Sequence, residues 1–276
     1  DAYDGDHWST PFQTIQAAVD AAGDGRGDTI FLLNGRGTDY DDDTVGASVA
    51  NAYVNINKSD LSIIGLGPPN SVVIKPDAAA TAGVFSIASG ANRVRIANIT
   101  FNTATAQSAA IQTVSGAHYP TIENCIFDLV GAAGPTGAGI TFDAGKVSYP
   151  IIRNCTFYCG TLIIAAIIME CQDATPFGAL IQGCNFISVL NGAGTGIVDF
   201  INVKDGTGVH IDKCYMHGGD AGTAYNATDG IDIDAGCVST IITDCLIGNC
   251  DNGVVDGGTD SCGETAGEGW VDITHS

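Results

Sequence analysis

Apolar and polar positions recur along this chain in a short pattern that repeats about every 30 residues. The clearest copy is Pro120-Thr121-Ile122-Glu123-Asn124-Cys125-Ile126-Phe127. It returns as Pro150-Ile151-Ile152-Arg153-Asn154-Cys155-Thr156-Phe157, and again around Cys184, Cys214 and Cys245. The cysteines therefore step by 30, 29, 30 and 31 residues, and an earlier copy carries Ile99 in the cysteine place. A fixed period of this size is the mark of a stacked solenoid, in which each repeat buries its apolar face only against its neighbours. Ile122, Cys125 and Phe127 form the expected inward set, with Glu123 and Ile126 outward. Strict alternation would place Ile122 and Cys125 on opposite faces. A bend at Asn124 restores both to the inside, because Asn tolerates the left-handed backbone that such a corner needs. Asn98, Asn154, Gly183 and Asp244 suit the same corner; Lys213 suits it poorly.

Each landmark has companion strands, among them Val84–Ile87, Ala110–Gln112, Gly139–Phe142, Gly196–Phe200, Gly230–Ile233 and Gly253–Val255. Two or three strands per coil of about 30 residues, joined by bends, predict an all-β, single-stranded right-handed parallel β-helix. Ahead of it, Thr10 as N-cap, Pro11 at the first helical position and Gln13 closing a capping box predict a short α-helix. Phe12, Ile15, Val19 and Ala22 share one face, and Gly23 ends the run. Such a helix caps the open end of the core. The division is a loop and capping helix over 1–30 and one continuous β-helix over 31–276, with Gly27–Leu33 as the first buried strand. The last strand, Trp270–Thr274, ends without an obvious cap, which suggests a longer parent chain or docking onto a partner.

Composition narrows the functions. The 276 residues include 31 Asp and Glu against 10 Lys and Arg, a net charge of −21. That excludes clustered phosphate-backbone contacts, so no nucleic-acid partner is expected. No apolar run reaches the roughly 18–20 residues that span a bilayer, so no membrane insertion is expected. Ten cysteines would allow five disulfides. Cys125, Cys155, Cys184, Cys214 and Cys245 instead fall in one column, where thiols pack as small buried hydrophobes. Cys159, Cys171, Cys237, Cys250 and Cys262 lie off it and have no assignable pairing.

The opening Pro11-Phe12-Gln13-Thr14-Ile15-Gln16-Ala17-Ala18-Val19-Asp20-Ala21-Ala22, then Gly27-Asp28-Thr29-Ile30 and Ile63-Ile64-Gly65-Leu66-Gly67, resembles the pectate-lyase-like β-helix superfamily. The resemblance implies the fold over nearly the whole chain. For activity it implies a spread: polysaccharide lyases and hydrolases, phage tailspikes and virion decorations, and surface proteins without chemistry. Asn226-Ala227-Thr228-Asp229-Gly230-Ile231-Asp232 is similar to the acidic motif of polygalacturonases. If the chain is an enzyme, Asp229, Asp232 and Asp251 are the catalytic candidates that this similarity implies. The family's Asp-Asp pair reads Asp251-Asn252 here, and its Gly-His-Gly and Arg-x-Lys motifs are absent. A lyase would need an arginine or lysine base beside a calcium-holding carboxylate cluster. Arg95 and Arg153 are outward strand charges with no acidic cluster assignable beside either.

Three further groups are candidates. Tyr119 and Tyr149, each before a proline and 30 residues apart, should stack on adjacent coils as a carbohydrate platform. Asp39, Asp41 and Asp43 alternate as calcium ligands do; no cofactor is required, and Ca2+ is the open option. The run Leu162–Met169 is apolar on both faces, so Ile163, Ile164, Ile167, Ile168 and Met169 form a candidate interface. The reading that leads is a non-catalytic structural or receptor- and carbohydrate-facing β-helix on the exterior of a virion or cell. It would act as a homo-oligomer (a trimer among the options) or dock onto a larger assembly, with polysaccharide as a candidate ligand. A polysaccharide lyase or glycoside hydrolase acting on acidic polysaccharide, and a carbohydrate-binding module, are the alternatives.

Overall fold

The computed structural model describes residues 11–12, 14–33, 54–74, 84–102, 109–130, 138–142, 147–160, 164–170, 178–189, 197–219, 227–259 and 261–265. Within these the chain is a right-handed parallel β-helix with one short α-helix. Three parallel sheets run along its axis. Sheet A stacks Thr29–Leu32, Ser62–Gly65, Arg95–Ala97, Thr121–Glu123, Ile151–Arg153, Leu180–Gln182 and His210–Asp212, then the first half of Ile241–Gly248. Sheet B stacks Val73–Ile74, Thr100–Asn102, Ile126–Leu129, Thr156–Cys159, Asn185–Ser188 and Tyr215–His217, then the second half of Ile241–Gly248. Sheet C holds Val54–Ile56, Phe85–Ile87, Ala109–Thr113, Ala138–Phe142, Ala165–Glu170, Asp199–Thr207, Ala227–Val238 and Cys250–Asp256.

The 30-residue period places like on like. In sheet A, Ile63, Ile96, Ile122, Ile152, Ile181, Ile211 and Ile242 pair rung to rung, and all are buried. In sheet B, Phe101, Phe127, Phe157 and Phe186 form an internal stack with centroids 5.2, 4.6 and 4.8 Å apart. The cysteine column lies at the corner between these sheets. Its five thiols are free and buried, and each bonds carbonyls of the surrounding backbone; Cys155 Sγ, for example, donates towards Arg153 O at 3.4 Å. Cys159, Cys237 and Cys250 are free as well. Cys171 lies outside the described residues.

The corner follows the expected chemistry with one difference. Asn98, Asn124, Asn154 and Asp244 have φ between 51° and 57°, and Gly183 has 62°. Lys213 takes the same conformation, at 52°. The neighbouring coils impose it: Lys213 N donates to Thr243 O at 3.0 Å, and Gly183 N to Asp212 O at 2.9 Å. A ladder bonded on both sides holds an unfavourable residue in the left-handed region, at a cost of about 1–2 kcal/mol.

Two local expectations are corrected. The helix is Ile15–Ala21 with Thr14 as its N-cap, whose hydroxyl accepts from Ala17 N. Pro11 and Phe12 precede it in non-helical backbone; Thr14 caps the helix where Ile15, Ala18 and Val19 can be buried. Gln16 accepts from Asn55 N at 2.7 Å, so the helix also satisfies the first strand of sheet C. The first strand of sheet A buries only Leu32 fully, and Phe31 is half exposed, because the strand alternates rather than lying wholly inside.

Candidate functional site

A second left-handed column precedes sheet A, and the sequence reading missed it. Asp60, Arg93, Tyr119, Tyr149, Gly178, Gly208 and Ser239 all have φ between 53° and 74°. Their amides climb the coils: Arg93 N donates to His118 O, and Tyr119 N to Ser148 O, both at 2.8 Å. The repeat spacing of Gly178 and Gly208 from Tyr149 was the available signal. Bulky residues rarely adopt positive φ, and each tyrosine precedes a proline, which narrows the room further. Here two stand in succession.

Their rings stack, as the spacing of Tyr119 and Tyr149 implied. The centroids are 5.3 Å apart and the planes 5° from parallel. Tyr119 is 49% exposed and Tyr149 39%. They line an open cleft of about 600 Å³ on the outer face of sheet A, together with Arg93, Arg95, Thr121, Ile151 and Gly178. The charges beneath are organised. Glu123 lies on the outward side, as expected, yet it is buried, because Arg95 and Arg153 close over it from the coils on either side. Arg95 Nε donates to Glu123 Oε1 and Arg153 Nε to Oε2, both at 2.6 Å. Burial raises the Glu123 pKa, but the two guanidiniums outweigh it and hold the group below its usual value. Arg93 pairs with Asp60 on the preceding coil. Three arginines against two carboxylates leave one positive charge in excess, on a chain whose net charge is −21. Farther along, Asp212 accepts from Gln182, Lys213 and Thr243, and these bonds bring its pKa down to about 2.

The other cluster is on the outer face of sheet C. Asp229 and Asp232, singled out from the sequence, meet Asp199, which was not. Asp199 pairs in register with Asp229, and Asn202 with Asp232. The 30-residue step from Asp199 to Asp229 was the missed signal. Burial, with the neighbouring Asp232 and Asp229 charges adding to it, pushes Asp199 up to about 7 despite a hydrogen bond from Asn202. Asp232 is raised by burial and by Asp234 and Asp229. Asp251 is exposed on the next rung, where Asn252 rather than Asp251 stands in register with Asp229.

The remaining candidates divide. Asp39, Asp41, Asp43 and Ile163 lie outside the described residues. Ile167 and Met169 belong to the main core, while Ile168 joins Ala138 and Ala165 in a small buried cluster apart from it. Ile164 is exposed.

These features define a parallel β-helix bearing an aromatic and arginine-lined cleft on one sheet and a carboxylate cluster on another. No protein-family model matches the chain, and no curated protein matches it. Among solved structures it is similar to ORF18 of Geobacillus virus E2, with 13% identity and a TM-score of 0.48 over 91% of this chain. The chain spans 57% of that protein's length. It is also similar to the A-module of the mannuronan C-5 epimerase AlgE4 of Azotobacter vinelandii, at 13% identity and a TM-score of 0.32, covering 94% of this chain and 95% of that one. Likenesses this distant concern the fold alone.

Proposed function

We propose that the protein is a non-catalytic, glycan-facing β-helix displayed on the exterior of a virion or cell. The observation that carries this reading is the stacked pair Tyr119 and Tyr149, held at positive φ above an arginine-lined cleft. Glycine would occupy those two positions without strain, as it does at 178 and 208. An aromatic pair retained there at a conformational cost suits a surface that stacks against sugar rings. Arg93 and Arg95 supply donors for hydroxyl or acidic substituents at the cleft floor. Assembly as a trimer, or docking on a larger particle, would repeat the cleft and raise avidity.

A hydrolase reading gains less support. Glycoside hydrolysis needs two carboxyl groups about 5–5.5 Å apart for retention, or roughly 6.5–9.5 Å for inversion, flanking a substrate. Asp199, Asp229 and Asp232 form one tight group on sheet C with Asp199 buried, not a pair facing across the described cleft, which lies on sheet A.

Titration of neutral and acidic oligosaccharides into the wild-type protein and the Tyr119→Asn and Tyr149→Asn variants tests the reading. Asn keeps the left-handed preference, so both variants should fold. Saccharide binding that each variant weakens by about two- to tenfold is the expected result, since a lost stacking contact is worth about 0.5–1.5 kcal/mol. Binding that neither variant alters would remove the cleft from the function.

A further inference from the structure

Asp199, Asp229 and Asp232 bring three carboxylate oxygens within 4.8 Å of one another on neighbouring coils of sheet C. No described Lys, Arg or His bonds to any of them. Amides donate to them: Asn202 Nδ2 to Asp199 Oδ2 at 3.1 Å and to Asp232 Oδ2 at 2.9 Å, and Asn252 Nδ2 to Asp229 Oδ1 at 2.7 Å, while the Asp199 and Asp229 carboxyls face each other at hydrogen-bonding range. Two buried acceptors are left over. Asp199 is 3% exposed and its Oδ1 has no partner; Asn202 is 8% exposed and its Oδ1 has none either. Buried carboxylates without a positive partner are costly, and orphaned oxygens beside them compound the cost.

The geometry points to a divalent-cation site, of the calcium class, formed by Asp199, Asp229 and Asp232 with the amide of Asn202. The donors are all oxygen, which suits a hard cation and not zinc or copper. Calcium takes its oxygens at about 2.3–2.6 Å, so ligands on opposite sides of one ion lie roughly 4.8 Å apart. The three carboxylates already fit inside that span. Asn202 Nδ2 occupies a place between two of them, and turning the amide over puts Oδ1 there instead; amide oxygen and nitrogen exchange places with no other change in shape. Asn252 can turn in the same way beside Asp229. The ion would tie the Asp199 coil to the Asp229 and Asp232 coil. This inference does not depend on the glycan cleft, which lies on sheet A.

The test is calorimetric titration of Ca2+ into the chelator-treated protein, with thermal unfolding in parallel. The wild type should bind with heat and melt at higher temperature with Ca2+ than with chelator. Asp199→Asn and Asp232→Asn should each weaken that binding by about tenfold or more, since each removes one of three charged ligands. The triple variant Asp39→Asn, Asp41→Asn, Asp43→Asn should leave it unchanged. If Asp199→Asn does not fold, the half-buried Asp229→Asn decides in its place. Absence of Ca2+ binding in the wild type overturns the proposal. So does binding that survives in the sheet C variants and is lost in the triple variant.

Discussion

Gly178 lies against the ring of Tyr149: a Cβ built on it would stand 2.7 Å from two ring carbons. Gly178 also has φ +53°, so a side chain there meets backbone strain as well as the ring. Gly178→Ala should cost about 1–2 kcal/mol from the left-handed backbone alone. It should also push Tyr149 off Tyr119. Urea denaturation measures the first effect and near-ultraviolet circular dichroism of the tyrosines the second. An unchanged tyrosine signal would mean that Gly178 does not set the ring pose.

The phenylalanine stack should dominate the stability of the coils between sheets A and B. Phe127 is fully buried between Phe101 and Phe157. Phe127→Ala removes a ring from a closed core with no room to collapse, and about 3–5 kcal/mol of unfolding free energy should go with it. Phe127→Leu should cost clearly less. Equal losses in equilibrium unfolding would show that the ring's volume is not what matters there.

Acid should weaken the fold through Glu123 and Asp212. Both are held below their usual pKa, Asp212 at about 2 through Gln182, Lys213 and Thr243. A depressed carboxylate contributes stability that is complete above its unfolded value, near 4. That contribution is lost as pH falls through the folded value. Through these two groups urea midpoints should drop between pH 4 and 2, whereas Asp199, raised to about 7, acts in the opposite sense and should lift them as pH falls from 7 towards 4. Asp212→Asn should lower the midpoint at pH 6 and flatten part of the acid limb; an identical acid limb in the variant would rule out Asp212 as a source.

The cysteine column should be inert while the protein is folded. All five of its thiols are buried, none more than 3% exposed, so a reagent reaches them only if the coils open. Alkylation with iodoacetamide at pH 8 should therefore spare Cys125, Cys155, Cys184, Cys214 and Cys245. All five should react in denaturant. Peptide mapping by mass spectrometry reads this site by site, and rapid native labelling of Cys155 would mean that the coils open.

The repeat was legible because a solenoid makes each coil bury the same positions. Ile122, Cys125 and Phe127 announced the core, and Asn124 the corner, from their spacing alone. The Tyr119 and Tyr149 stack was legible for the same reason: a period of one coil becomes a neighbour across a strand spacing. Lys213 at the corner was not, because its conformation is set by hydrogen bonds from the coils on both sides and not by its own preference.

Spacing along the chain is enough to set the architecture, the inward columns and which residues lie one coil apart. Periodicity is a property of the chain, and stacking converts it directly into contact. What the outward residues do emerges in the folded molecule. It closes Arg95 and Arg153 over Glu123, brings Asp199 against Asp229 and Asp232, and buries the outward side of Ile168. Those outcomes depend on side-chain reach and burial on the outer faces, where the repeat is not kept and each coil carries different chemistry.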